Sequence, residues 1–169
     1  MIVILALRVF QLLFATIVLA LSVIMIKGYG PGLSWLLIIY GSFCGGAAII
    51  IGVIGIVACF MEALQGTIML VLDCVASFFL LAGGIAYAAT IKVGNCDDFV
   101  GYVSHHNNPF SFSAQRRLTL WESIDEATTR CRETQASTAF LWFTAACFIG
   151  TTVIHFLGRK RGGGAVSYP

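Results

Sequence analysis

The chain has 169 residues, of which 59% are hydrophobic and only 11% are charged. A soluble globular domain carries about 25% charged residues, so the composition excludes that class and indicates a single-domain integral membrane protein. The formal net charge of +2 is too small and too scattered to suggest nucleic acid as a partner.

Four apolar stretches are long enough to cross a bilayer, whose hydrocarbon core of roughly 30 Å needs about 20 helical residues. We predict spans at about 8–27, 34–59, 66–91 and 136–157. A secretory signal peptide is the competing interpretation of the first stretch, but its apolar run is long for one and Gly28–Gly32 fits a turn better. The expected fold class is an all-α, four-helix transmembrane bundle, in which each helix satisfies its own backbone hydrogen bonds.

Small residues recur at helical spacing in the second and fourth spans, and such faces let helix backbones approach closely. The residues that we expect to pack against other helices are Gly41, Gly45, Gly52, Ala146 and Gly150. The pattern favours packing inside the bundle over a dedicated dimer interface.

A carboxylate, Asp73, lies inside the third span near the end that begins after Glu62. An intramembrane charge costs about 3 kcal/mol on insertion scales, so it normally faces the bundle and has a partner. Arg8, at the same end of the first span, is the best candidate partner, although Arg8 and Lys27 can also extend toward the headgroups. Weaker candidate partners are Thr16, Gln11 and Ser77. An ion-coupled transport site at Asp73 is the alternative, and the absence of a second charge deep in any span favours structural pairing.

The segment 92–135 is the only long polar passage and carries a cysteine near each end, Cys96 and Cys131. Basic residues lie on both sides of the spans and give no orientation. Paired cysteines at the ends of a loop predict a disulfide in an oxidising compartment, worth about 3–4 kcal/mol in the chain-entropy model. We therefore predict an outer loop clasped by this disulfide, with an amphipathic helix over 117–133 that leads into the fourth span. The N- and C-termini are then cytosolic.

Residues 1–161 form the predicted membrane domain, and 162–169 form a flexible cytosolic tail. The bases Arg159, Lys160 and Arg161 follow the last span, where each is worth about 1 kcal/mol of attraction to anionic lipid of the inner leaflet. Cys59, at the cytosolic edge of the second span, is a candidate S-acylation site by position. The pattern favours a plain interfacial thiol there.

No nucleophile elbow, P-loop, dinucleotide fingerprint or H-E-x-x-H motif occurs, so we expect no enzymatic activity and no cofactor. His105 and His106 lack spaced partners and make a poor ligand set, so we expect no metal site. Two functional hypotheses remain from the residues alone: a small transporter or channel using Asp73, and an assembly subunit of a larger membrane complex.

Short motifs spread over the chain carry a family resemblance. They are Leu7-Arg8 followed by Leu12-Leu13-Phe14, Glu62-x-Leu64, Leu72-Asp73 with Phe78, and Cys131-Arg132-x-x-Gln135-Ala136-x-x-Ala139-Phe140-Leu141. With four spans and a longer second outer loop, the chain resembles fungal MARVEL-domain proteins of the non-classical export protein family. It lacks the Cys-Cys-Gly motif that tetraspanins carry in that loop.

The resemblance implies a plasma-membrane protein of eisosome-associated microdomains, with roles in organising them, in responding to sphingolipid status and in export without a signal peptide. The positions that match the family are Arg8, Glu62, Asp73, Cys96 and Cys131. The implied partners are membrane lipids, namely sterol, sphingolipid and anionic inner-leaflet lipid, and other membrane proteins or further copies of the chain by lateral packing. The short Gly-rich tail departs from the family, so functions that depend on a longer C-terminus do not carry over.

Overall fold

The computed structural model describes residues 2–29, 36–60, 67–91, 94–98 and 120–162. Within these ranges the chain forms four helices. They are α1 (Ile2–Tyr29), α2 (Leu36–Phe60), α3 (Thr67–Ile91) and α4 (Leu120–Gly162). All four are long and apolar enough to cross a membrane, which confirms the predicted all-α, four-span bundle. Glu62, the adjacent histidines of the loop and residues 163–169 lie outside the described residues.

The helices form a ring in which each packs mainly on two neighbours. α1 contacts α2 and α4, and α3 also contacts α2 and α4. The connections from α1 to α2 and from α2 to α3 are short, so these chain neighbours run antiparallel. The interior is filled by one side chain or more from each helix, including Val18, Cys44, Leu80 and Phe148.

α4 is one unbroken helix of 43 residues. It contains both the amphipathic segment predicted at the end of the loop and the fourth span, because the same buried stripe continues through both. Its buried positions recur every three or four residues, which is the spacing of one helix face. They are Ala127, Arg130, Cys131, Thr134, Ser137, Leu141, Thr144, Ala145, Phe148 and Thr151.

Helices α1 and α2 approach each other closely, because glycines occupy the face of α2 that meets α1. A Cβ atom at Gly45 would lie 2.9 Å from the backbone nitrogen of Leu19, and one at Gly52 would lie 2.9 Å from Cδ2 of Leu12. Gly41 is also buried, with Tyr87 and Ser22 filling the space where its Cβ would be. These three glycines therefore pack inside the bundle.

Gly45→Ala is expected to lower the free energy of unfolding by about 1–3 kcal/mol relative to Gly46→Ala, since the added methyl meets backbone and the helices must move apart. Gly46 is the matched control, because a Cβ there meets nothing within 4 Å. Both variants gain the same helix propensity of about 1 kcal/mol, so their difference isolates the steric term. The measurement is the midpoint of SDS-induced unfolding in mixed micelles. Equal midpoints for the two variants would contradict close packing at Gly45.

The small residues of α4 differ from the prediction. Gly150 is half-buried, with its Cβ position 3.6 Å from Leu7. Ala146 is exposed, so it does not pack within the bundle. The stripe predicted through Ala146 is wrong in phase, because the buried face of α4 runs through Leu141, Ala145 and Phe148.

Candidate functional site

An ion pair lies in the bundle interior, between helices that are not neighbours in the ring. Nη1 of Arg8 is 2.7 Å from Oδ1 of Asp73, and Nη2 is 2.7 Å from Oδ2. The side chains are 1% and 0% exposed. Two parallel charge-assisted hydrogen bonds of this kind are strong and fix the relative orientation of the groups. Arg8 thus points into the bundle, and the expectation that it also extends toward the headgroups is wrong.

Further hydrogen bonds extend the pair to α4. Nη1 of Arg8 also donates to Oε1 of Gln11 at 3.0 Å, and Nε2 of Gln11 donates to Oγ1 of Thr151 at 3.1 Å. The Ser77 hydroxyl donates to the backbone carbonyl of Asp73 at 2.7 Å. Buried polar groups need such partners because they have left water. The network therefore links α1, α3 and α4 in the half of the bundle that holds the chain termini.

Gly55 makes room for the Arg8 side chain. A Cβ atom at Gly55 would lie 2.5 Å from both Cζ and Nε of Arg8, which is closer than non-bonded atoms can approach. Gly55 continues the glycine face of α2 at helical spacing. That spacing was the signal that could have placed Gly55 among the predicted packing residues.

A cavity of about 460 Å³ opens beside the ion pair, at the end of the bundle where the chain termini lie. All four helices contribute to its walls. The lining residues are Ile2, Ile4, Leu5, Arg8, Gly55, Ala58, Cys59, Phe60, Met69 and His155. The Cys59 thiol donates to the carbonyl of Gly55 at 3.3 Å, and His155 is half-buried. The sequence places His155 near the far end of the fourth span, but the cavity itself was missed, because it does not follow from the pattern of any single helix.

At the opposite end of the bundle, a disulfide joins Cys96 to Cys131. This confirms the predicted disulfide, which links the chain just after the end of α3 to the first third of α4. The Gln135 side-chain amide adds a hydrogen bond to the carbonyl of Gly94 at 2.8 Å. Arg132 also pairs with Asp97, but both side chains are 65% exposed, and such surface pairs contribute little to stability.

The predicted basic cluster follows the fourth span at the end of α4. Arg159, Lys160 and Arg161 lie in the last turns of α4, and their side chains are outside the described part of the structure. Within the residues that the structure describes, no three His, Cys, Asp or Glu side chains come close enough to hold a metal ion. Among those residues, the site consists of the Arg8–Asp73 ion pair, its hydrogen bonds and the neighbouring cavity.

The model of the MARVEL family, described as a membrane-associating domain, matches residues 2–154. The chain belongs to the MARVEL family. The MARVEL match takes in Arg8, Asp73, both bonded cysteines and α4 as far as Ile154. Together with the four apolar helices, it identifies a multi-pass membrane protein. Searches of curated proteins and of solved structures give no match.

Proposed function

We propose that this MARVEL protein is a non-enzymatic organiser of plasma-membrane microdomains of the eisosome type, whose packing responds to sphingolipid and sterol. In this proposal both termini are cytosolic, and Arg159, Lys160 and Arg161 contact anionic lipid of the inner leaflet. A lateral organiser needs no catalytic set. It needs outward faces that contact lipids and neighbouring spans, and a bundle that keeps its shape while they do.

One observation carries the proposal: two aromatic patches lie on opposite sides of the helix ring. The first patch spans α2 and α3 and consists of Tyr40, Phe43, Phe78 and Phe79, with successive ring centroids 5.8–6.3 Å apart. The second spans α1 and α4 and consists of Phe10, Phe14, Phe140 and Phe143, with centroids 5.7–6.2 Å apart. Since α1–α4 and α2–α3 are opposite seams, a molecule can contact neighbours on both sides.

Contact between unlike patches of successive molecules is heterologous, and heterologous contacts that do not close produce extended arrays. Aromatic pairs are worth about 0.5–1.5 kcal/mol beyond the area they bury, so many weak contacts would hold such an array in a reversible form. The rings that face outward most are Phe43, Phe78 and Phe143, which are 57%, 69% and 54% exposed.

Two finer parts of the proposal are supported by motif resemblance. The stretch from Cys131 to Leu141 is the most specific match to the fungal non-classical export protein family, and we extend the proposal to that family and to a role in export without a signal peptide. S-acylation of Cys59 stays a separate prediction outside this proposal, because its position one residue before the end of α2 at Phe60 also fits the plain interfacial thiol that the sequence favours.

The test is fluorescence imaging of the tagged protein in a fungal plasma membrane, with lipid analysis of the purified protein. We expect stable patches and enrichment of sterol or sphingolipid. Phe78→Ala combined with Phe143→Ala should disperse the patches at unchanged expression. Phe156→Ala is the control, because Phe156 is 58% exposed and belongs to neither patch. An even distribution of the wild-type protein, with no lipid enrichment, would refute the proposal, and a stoichiometric larger complex on native mass measurement would favour an assembly subunit instead.

A further inference from the structure

The cavity at the terminal end of the bundle has a volume and a lining suited to a small molecule. Its volume of about 460 Å³ lies within the ~300–1,000 Å³ that small-molecule sites occupy. Ile2, Ile4, Leu5 and Met69 make most of the wall apolar. Sites of this kind combine an apolar lining with a few polar groups that fix the ligand's orientation.

Arg8 supplies such a polar group. Its two terminal nitrogens are bonded to Asp73 and Gln11, but its Nε is buried with no hydrogen-bond partner among the described residues. This Nε lies against Gly55, another residue of the cavity wall. A buried donor without a partner carries its full desolvation penalty, so an oxygen atom that reached Nε from the cavity, through a small shift of the wall at Gly55, would relieve it.

The charge balance decides what kind of oxygen fits. The positive charge of Arg8 is already matched by the carboxylate of Asp73 at 2.7 Å. An anionic headgroup would place an unmatched negative charge beside Asp73, and a cationic one would meet the guanidinium, in a setting where charges are weakly screened. A neutral hydroxyl or carbonyl oxygen accepts from Nε without disturbing the pair.

The depth of the donor agrees with this choice. α1 has 28 residues and is about 42 Å long, roughly 12 Å more than the hydrocarbon core. Arg8 lies about 9 Å along α1 from Ile2. Its guanidinium is therefore close to the boundary between headgroups and hydrocarbon, where the polar oxygen of an uncharged lipid resides.

We infer that this cavity binds an uncharged amphiphile through one hydroxyl or carbonyl oxygen that accepts a hydrogen bond from Nε of Arg8. Sterols and monoacylglycerols belong to this class, whereas charged phospholipids and sphingoid bases do not. The inference deepens the proposed function, on which it rests, by naming the lipid chemistry and the site of the response.

The test uses purified protein in phosphatidylcholine nanodiscs with a photoreactive, alkyne-tagged cholesterol as the probe. We expect labelled peptides from 2–8 and 55–60, and loss of label on adding unlabelled cholesterol or monoolein. Leu5→Trp, which fills the cavity, should reduce labelling at least about fivefold. Ile39→Trp is the matched control, since Leu5 and Ile39 are 39% and 42% exposed and Ile39 lies outside the cavity.

Arg8→Lys separates the hydrogen bond from the charge, because lysine stays cationic opposite Asp73 but lacks the Nε donor. It should weaken competition by cholesterol about fivefold. Retained helicity and a Cys96–Cys131 disulfide resistant to alkylation report correct folding, and Leu5→Trp decides the matter if Arg8→Lys does not fold.

Three results would overturn the inference. The first two are equal labelling of wild type and Leu5→Trp, and labelling by a photoreactive phosphatidylcholine equal to that by the photoreactive cholesterol. The third is an acyl group on Cys59 that hydroxylamine releases, which would mean that a covalently attached chain fills the cavity. Loss of specific labelling with patches intact in cells would remove this inference and leave the proposed function standing.

Discussion

Asp73→Asn is expected to lower the free energy of unfolding by about 3–5 kcal/mol, because it leaves the Arg8 guanidinium buried and without a counter-charge. Asparagine keeps the size of the side chain, so the loss is electrostatic and not steric. The measurement is SDS-induced unfolding in mixed micelles, followed by far-UV circular dichroism. Asp97→Asn is the matched control, since that carboxylate is paired but 65% exposed and its loss should cost less than about 1 kcal/mol.

A double variant completes this experiment. Arg8→Met combined with Asp73→Leu removes both charges, and replacing a buried ion pair by apolar groups is often neutral or stabilising by about 1–4 kcal/mol. We expect it to recover most of the stability that either single change loses, which gives a large coupling energy in a double-mutant cycle. Purely additive losses would argue against pairing. An Asp73→Asn protein of normal stability that loses ion or proton flux in liposomes would favour the transport alternative.

Removal of the disulfide is the second change with a large expected effect. Cys96→Ala combined with Cys131→Ala should cost about 4 kcal/mol, because the bond closes a loop with a sequence separation of 35 residues and so restricts the unfolded chain. The measurement is the unfolding midpoint without reductant, compared with that of wild type under reducing conditions, which should show a similar loss. Cys74→Ala is the control, since that thiol is free and exposed.

Alkylation provides an independent check on the same bond. Under denaturing conditions without reductant, four thiols should react, those of Cys44, Cys59, Cys74 and Cys147, and reduction should expose two more. Six reactive thiols before reduction would mean that the clasp does not form. Wild-type stability of the Cys96→Ala, Cys131→Ala variant would mean that α3 and α4 are held by packing alone.

The features that could be predicted from the sequence are those on which a bilayer imposes strict requirements, such as the length of each span and the pairing of buried charges. Each span must supply about 20 apolar residues, so the number of helices was visible in the hydropathy pattern. A lone carboxylate in a span needs a partner at the same depth, which restricted the choice for Asp73 to few residues, and the structure brings Arg8 to it. Cys96 and Cys131 were separated from the other cysteines by their place at the ends of the polar segment.

The rotation of each helix about its own axis was harder to predict than the number of helices. In a soluble helix a polar face marks the outside, but here the lipid-facing side of each helix is as apolar as the core. For this reason Ala146 was placed on the wrong face, and the link between Gln11 and Thr151 was missed. The cavity required the ends of four helices to be positioned together, which no pattern along one helix encodes.

The unbroken course of α4 has a mechanical consequence. Its 43 residues make a rod about 64 Å long, twice the thickness of the hydrocarbon core. Helices tilt when bilayer thickness changes, and a continuous rod carries that tilt across the surface. The disulfide braces the rod at Cys131, and Ala127 and Arg130 stay buried beyond that point, so α4 remains packed for at least one more turn toward Leu120, which lies about 17 Å from Cys131 along the axis. A thinner or thicker bilayer around the bundle would therefore move the Leu120 end of α4 sideways together with the span.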